Sequence, residues 1–278
     1  MKKIVVDSSA NRFSFEGIDY GYAPLKLIGD GREFVDDENL NVEEMVGFME
    51  GTSSSSTACP SIDDWLKEFE GYDEIIALTI SQKLSGSYNS AMMAREEYLE
   101  SHPDAQVFVV DSCQTGAGMT MLVELINKLS NEGKSFADMQ DDLQEYMKSR
   151  HLYFLLGSVN NLANAGRINK LLAKAIGLLD IKMLGRATEG KIDVFSKPKG
   201  ERKAIKECIA EMERVHYEGG RVVIDHVLNL PAAEKLKSLI LEKFPDANVT
   251  IGECTGLCSY YAERGGLIVG YEADDTAR

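Results

Sequence analysis

The chain has 278 residues, of which 44% are apolar and 27% charged, and its formal net charge is −15. This composition is typical of a soluble globular protein with room for one or two domains. Its acidity argues against a nucleic-acid partner, because a phosphate backbone would be repelled. No apolar run approaches the roughly 20 residues of a membrane helix, and MKKIVVDSSA lacks the ~7–15 apolar residues of a signal peptide. We therefore expect a cytoplasmic protein.

The elements of the first half predict an α/β domain over residues 1–150. Three short apolar runs, KKIVV, EIIALTI and AQVFVV, each end in a polar loop, and the last two loops lead into helices. This pattern is typical of parallel strands buried on both faces, whose ligands bind beyond the carboxyl ends. A hairpin-like, turn-rich insertion covers about residues 17–56, and its serine run 53–56 indicates a flexible connection.

The second half, residues 151–278, mixes strands and helices less regularly and predicts an α+β domain. We expect strands at HLYFLLGS, KIDVFSK, RVVIDHV, ANVTIG and GGLIVGY. Helices are expected at ERKAIKECIAEMERVH and PAAEKLKSLILEKF, and over most of VNNLANAGRINKLLAKAIGLL. The fold class is therefore two-domain α/β, with a parallel-sheet N-terminal domain and an α+β C-terminal domain.

A loop rich in hydroxyls, SQKLSGS, follows the second strand and precedes a helix. Free N–H groups at the helix start, together with Ser85, Gly86 and Ser87, would form a cradle for an anion. The alternative is that Ser85 or Ser87 is only the helix N-cap.

The segment LANAGRINKLLAKAIGLLDIKML is unusually apolar. Ile168, Leu171, Leu172 and Ile176 cover more than one helical face, so they either belong to the core or line a tunnel for an apolar ligand. A hydroxyl cradle joined to such a tunnel would suit a fatty acid.

The sequence offers little for catalysis or metal binding. Five scattered cysteines indicate free thiols, and no second Cys/His pair stands near Cys254 and Cys258, so we expect no metal or cofactor. There is no G-x-S-x-G elbow, and no histidine and acid accompany the serines. The alternative of an enzyme acting on an acyl or small-acid substrate would depend on Cys258 or His226.

Several motifs, taken in order, resemble the DegV family of bacterial fatty-acid-binding proteins over nearly the whole chain. These are DSSA (7–10), YAPLKL (22–27), TACPS (57–61), ISQKLSGSYNSA (80–91), VVDSCQTGAG (109–118), LANAGRI (162–168), IKMLGRATEGKI (181–192), GERKAI (200–205) and VVIDH (222–226). LSGSYNSA, with TACPS before it and AGRI after it, is the most specific combination.

The resemblance implies a non-catalytic protein that binds a long-chain fatty acid and presents its carboxylate to a separate fatty acid kinase subunit. The acyl phosphate would then enter phospholipid synthesis. The implied partners are the fatty acid and the kinase catalytic subunit, and a transient contact with a membrane surface is compatible with this role. A binder of another apolar anion remains an alternative.

Site residues are also implied by the resemblance. Thr57 matches the leading threonine of a T-S-x-P-S motif, and Ser85 matches the serine of L-S-G-T, with Gly86 supplying an N–H; these bind the ligand carboxylate in the family. Arg167 matches the G-R-I arginine, and Arg202 matches an arginine associated with kinase docking.

The chain departs from the family pattern near its C-terminus, where GLCSYYAERGG replaces G-T-H-x-G-P-G. Cys258 stands where the family has a histidine, and a thiol is a weaker donor to a carboxylate. Arg264 or a tyrosine would have to compensate. Tyr260 and Tyr261 would either donate to the head group or block its pocket.

Overall fold

A computed structural model of the protein describes residues 1–174, 176 and 180–273. The strands are β1 Lys2–Asp7, β2 Asp19–Ala23, β3 Lys26–Gly29, β4 Arg32–Val35, β5 Ser55–Ala58, β6 Glu74–Thr79, β7 Gln106–Asp111, β8 Arg150–Leu156, β9 Met183–Thr188, β10 Lys191–Ser196, β11 Gly220–His226, β12 Ala247–Glu253 and β13 Leu267–Glu272. The helices are α1 Val42–Glu50, α2 Ile62–Phe69, α3 Ser87–Ser101, α4 Ala117–Asn131, α5 Phe136–Tyr146, α6 Asn160–Asn164, α7 Lys170–Ala173, α8 Glu201–Arg214, α9 Leu230–Lys243 and α10 Gly256–Ala262. None of these helices is long and apolar enough to cross a membrane.

The first sheet is fully parallel, with the order β2-β1-β6-β7. Its inner strands β1 and β6 are almost completely buried, as continuous apolar runs require. The α/β fold class predicted from these runs is confirmed. The edge strand β2 was not predicted. It lies within the expected insertion, so part of that insertion is a strand of this sheet.

The rest of that insertion forms a small antiparallel sheet, β4-β3-β5, with α1 beside it. We call this unit the insertion sheet. The serine run 53–56, which we expected to be a flexible connection, is instead held by hydrogen bonds and strand pairing. Ser53 and Ser54 bond the carboxylate of Asp30, and Ser55 and Ser56 belong to β5.

The third sheet contains six strands in the order β10-β9-β8-β13-β11-β12 and is mixed. Only β11 and β12 pair in parallel, whereas every other neighbouring pair is antiparallel. All five predicted strands are present, and β9 is an additional one. The boundary at residue 150 stays a prediction, although β8 begins there.

The helix α4 lies between the two large sheets. Met119 and Leu122 pack in the core of the parallel sheet, whereas Ala117 and Met121 pack in the core of the six-stranded sheet. A Cβ added at Gly270 of β13 would lie 3.0 Å from the backbone of α4, so glycine permits this close approach. The packing places the carboxyl ends of β1, β6 and β7 against the six-stranded sheet.

The long helix expected over residues 159–179 is interrupted. The structure has the short helices α6 and α7, separated by a turn in which Gly166 has a φ of +76°. The predicted helix also covers residues 175 and 177–179, which lie outside the described part of the chain.

Candidate functional site

An apolar cavity lies where the loops of the parallel sheet, the insertion sheet and the six-stranded sheet meet. It contains about 600 Å³ of space not filled by protein atoms, with the open solvent at its mouth included. Its apolar lining consists of Leu25, Ile80, Leu84, Phe154, Leu156, Leu162, Ile192, Leu257, Ala262 and Ile268. Its polar lining consists of Thr57, Ser85, Thr115, Arg167, Cys258 and Tyr261.

The hydroxyl loop, residues 80–87, is fixed at both ends by one carboxylate. Asp7 is fully buried at the end of β1, and it accepts hydrogen bonds from the N–H of Ile80 at 2.8 Å and the hydroxyl of Ser87 at 2.6 Å. The hydroxyl of Ser9 donates to the same carboxylate. Burial raises the pKa of Asp7, while these hydrogen bonds oppose the shift. The loop therefore has a defined position over the cavity.

The C-terminal half of the chain holds the same loop from the other side. The hydroxyl of Ser81 donates to the carbonyl of Gly190, in the β9–β10 turn, at 2.6 Å. Arg167 donates through Nε and one terminal nitrogen to the carbonyl of Leu84, at 3.0 and 2.9 Å, and through the other to the carbonyl of Ala165 at 2.6 Å. Arg167 thus lines the cavity while positioning the loop.

The hydroxyls of Ser85, Thr57 and Tyr261 all border the cavity. Ser85 is partly exposed, and its oxygen accepts one long hydrogen bond, 3.3 Å, from the N–H of Ser87. The hydroxyls of Thr57 and Tyr261 lie 2.9 Å apart, and the Arg167 guanidinium lies 5.9 Å from the centre of the Tyr261 ring. These three neutral donors, with one cation near them, form the polar end of the lining.

The helix α10, which carries Tyr261, is anchored to the insertion sheet. The fully buried carboxylate of Asp36 accepts hydrogen bonds from the N–H groups of Gly256 at 2.6 Å and Leu257 at 2.9 Å. An acidic group at this end also complements the helix dipole. Burial raises the pKa of Asp36 to about 6 against these hydrogen bonds. Asp36 therefore fixes the start of the helix that carries Cys258 and Tyr261.

Cys258 is buried one turn before Tyr261 and lines the cavity. Its thiol donates to the carbonyl of Ser9 at 3.4 Å and lies 3.4 Å from the Thr115 hydroxyl. Burial raises the pKa of this thiol far above its usual value, which disfavours the thiolate that a nucleophile needs. His226 is buried at the end of β11 and is not part of the lining. This geometry gives no support to an enzyme that uses these two residues.

Four predicted site residues lie elsewhere. Gly86 is exposed just before α3, and within the described ranges its N–H donates to no protein acceptor. Ser87 is buried, and its hydroxyl is engaged by Asp7. Arg202 is exposed in the first turn of α8, and Arg264 forms an ion pair with Glu50 at 2.7 Å beside a separate polar groove. Neither arginine lines the cavity.

The four tunnel candidates do not line the cavity either. Ile176 is buried in the adjoining core, and Ile168 and Leu172 pack partly buried against that core. Leu171, on α7, is 75% exposed. Leu162 belongs to the same apolar segment and does line the cavity, although the sequence pattern did not single it out.

Some of the lining residues that were missed belong to elements with a recognisable pattern. Phase along β8 could have indicated Phe154 and Leu156, which are two residues apart and so share one face of the strand. The lining residues of α10 offered no comparable signal.

Among the described residues, no three His, Cys, Asp or Glu side chains are grouped as a metal site would require.

The fold and the cavity define an α/β protein with an internal apolar pocket that ends in hydroxyl groups. The sequence matches the DegV family over residues 1–274. A DegV domain-containing protein of Streptococcus pneumoniae is 40% identical over 253 residues, which cover 90% of each chain. The chain therefore belongs to the DegV family.

Solved structures agree with this assignment. A DegV family protein from Eubacterium eligens, loaded with heptadecanoic acid, has a TM-score of 0.96 and 37% identity, covering 99% of this chain and 100% of its own. The Streptococcus pneumoniae fatty acid kinase (Fak) B3 protein, loaded with linoleic acid, also has a TM-score of 0.96 and 37% identity, with coverage of 98% and 99%. Members of the family are thus lipid-binding proteins.

Proposed function

We propose that this protein binds a long-chain fatty acid and presents its carboxylate to a separate kinase for phosphorylation. The observation that carries the proposal is the apolar cavity with the hydroxyls of Thr57, Ser85 and Tyr261 in its lining. The hydrocarbon chain would contribute about 0.8 kcal/mol for each methylene that it buries. The fatty acid, and not a cofactor, is then the resident ligand.

The proposed head-group chemistry follows from the kind of donors present. A carboxylate only accepts hydrogen bonds, and hydroxyl groups can rotate to donate to it. Neutral donors leave more negative charge on the carboxylate oxygens than a direct lysine or metal contact would. Such a carboxylate is a suitable nucleophile for a phosphoryl donor supplied by the partner.

The Fak B3 relative, whose name assigns it to a fatty acid kinase, supports a kinase partner for this chain. Arg202, which the resemblance associates with kinase docking or function, is our proposed contact with that partner; it is exposed and forms no ion pair within the described ranges. We expect Arg202→Ala to reduce kinase-coupled phosphorylation while leaving fatty acid affinity unchanged.

The proposal is tested by mass spectrometry of the purified protein, first native and then after denaturing extraction. We expect a bound long-chain fatty acid, whose mass also gives its length. Fatty acid titrated into delipidated protein should restore the native adduct. Recovery of no lipid, together with no binding in the titration, would overturn the proposal.

A further inference from the structure

A further groove, distinct from the polar groove beside Arg264, adjoins the cavity and shares three of its lining residues. Leu84, Arg167 and Ile192 line both spaces. The groove has about 740 Å³ of space not filled by protein atoms, open solvent included. Its other lining residues are Lys83, Ala165, Gly166 and Lys191. The groove therefore lies directly outside the polar lining of the cavity.

The lining of this groove carries three cations and no carboxylate. Neither Lys83 nor Lys191 forms an ion pair with an acidic group in the described part of the chain, and Arg167 donates only to main-chain carbonyls. The nearby carboxylate of Asp111 accepts from the N–H groups of Gln82 and Cys113. In a protein with a net charge of −15, these three cations make the groove locally positive.

The two lysines are held near each other and near the cavity. Lys83 precedes Ser85 by two residues in the hydroxyl loop, and Lys191 precedes the lining residue Ile192. The hydrogen bond from Ser81 to Gly190 joins the loop to the β9–β10 turn. A Cβ added at Gly190 would lie 3.4 Å from Cγ of Lys83, so the lysine stem already lies against this turn.

We propose that the groove holds the phosphoryl group of an acyl phosphate whose chain occupies the cavity, with Lys83 and Lys191 as its cationic contacts. This inference rests on the proposed function. In the transfer from a nucleoside triphosphate held by the kinase, a carboxylate oxygen forms a bond to the γ-phosphorus, and the bond from that phosphorus to the β–γ bridging oxygen breaks, so that the nucleoside diphosphate leaves with the electron pair.

The product needs a different environment from the substrate. A carboxylate has one negative charge, whereas a phosphate monoester carries about −1.5 to −2 and three acceptor oxygens. The hydroxyls of the cavity supply no positive charge, but lysine binds phosphate as a point charge. The groove would thus retain the labile product until a consuming acyltransferase reaction takes it.

The test uses hexadecylphosphonate as a stable mimic of the acyl phosphate and palmitate as the reference ligand. Dissociation constants are measured for the wild type and for a Lys83→Gln/Lys191→Gln variant at low and high ionic strength. We expect the variant to bind the phosphonate roughly tenfold more weakly at low ionic strength, and palmitate within about twofold of wild type. High ionic strength should narrow the difference.

A Lys235→Gln/Lys237→Gln variant is the matched control, because it loses the same charge on α9, which lines neither space. It should bind the phosphonate like wild type, and an equal loss would overturn the inference in favour of a net-charge effect. If the Lys83/Lys191 variant binds the phosphonate with unchanged affinity, the inference is overturned but the proposed function is not. ATP, which has no alkyl chain, is titrated as a third ligand. If the two lysines affect the affinity for ATP but not for the phosphonate, the inference is also overturned. A wild type that binds neither palmitate nor the phosphonate would overturn the proposed function.

Discussion

The hydroxyl of Tyr261 lies 2.9 Å from the hydroxyl of Thr57, although 204 residues separate them in the sequence. The adjacent Tyr260 makes a parallel contact, with its hydroxyl 2.7 Å from that of Ser55. The two pairs differ in surroundings. Thr57 and Tyr261 line the apolar cavity, whereas Ser55 and Tyr260 line the polar groove beside Arg264. Tyr261 therefore adds a hydroxyl donor to the cavity that bears Cys258.

Tyr261→Phe should weaken fatty acid binding about 5- to 10-fold, because the carboxylate loses one hydrogen-bond donor. The measurement is a titration of delipidated protein with palmitate. Tyr260→Phe is the matched control and should leave the affinity unchanged, since its hydroxyl faces the polar groove. Tighter binding by Tyr261→Phe would show instead that the phenol competes with the ligand for Thr57.

Ser85→Ala should weaken palmitate binding about 5- to 30-fold and leave the free energy of unfolding nearly unchanged. The reason is that, among the described residues, the side-chain hydroxyl of Ser85 makes a single long hydrogen bond, with the N–H of Ser87. Equilibrium unfolding in denaturant and ligand titration together measure both quantities. A variant that loses stability but keeps its affinity would assign Ser85 to the loop structure alone.

Ser87→Ala should have the opposite profile. Removing its hydroxyl takes a donor from the buried Asp7 carboxylate, so the free energy of unfolding should fall by about 1–3 kcal/mol. Denaturant unfolding of this variant beside Ser85→Ala tests the distinction. Equal stability of the two variants would contradict the anchoring role that we assign to Ser87.

Asp36 should make stability depend on pH in a defined window. Its pKa is about 6 in the folded protein against an ordinary value of 3.8, so the protonated carboxyl is favoured by folding. Its contribution is complete below about pH 4 and is lost as the pH rises through 6, by on the order of 3 kcal/mol. Comparing denaturant unfolding of wild type and Asp36→Asn from pH 4 to 7 isolates this change. A difference between the two that is independent of pH would refute it.

Cys258 should resist alkylation in the native protein, because burial raises its pKa and keeps the thiol protonated. Cys59 is exposed and provides the internal reference. Peptide mass spectrometry after brief iodoacetamide treatment measures both sites. Equal labelling rates would revive the hypothesis of a reactive cysteine.

The sequence was sufficient for elements whose own residues carry the signal. Continuous apolar runs predicted β1, β6 and β7 because these strands are buried in a parallel sheet. The edge strand β2, DYGYA, has no such run, and its place in the sheet depends on its pairing with β1. Thr57 and Ser85, which the motif resemblance singled out, both line the cavity, and their role as carboxylate ligands stays a prediction.

The remainder of the site depends on contacts that no local pattern reveals. The helix α10 has only seven residues, and its start is fixed by Asp36, about 220 residues earlier. The apolar pattern predicts helix over most of residues 159–179, and it does not separate the buried Leu162 from the exposed Leu171. The turn at Gly166 makes that separation.

The paired tyrosines have a geometric consequence for how the site can open. Ser55 and Thr57 are two residues apart on β5, and both hydroxyls contact the same helix, α10. A movement of the insertion sheet away from α10 must break both hydrogen bonds. The apolar cavity and the polar groove beside it therefore share one wall, formed by β5 and α10, and any displacement of that wall would change the width of both spaces at once.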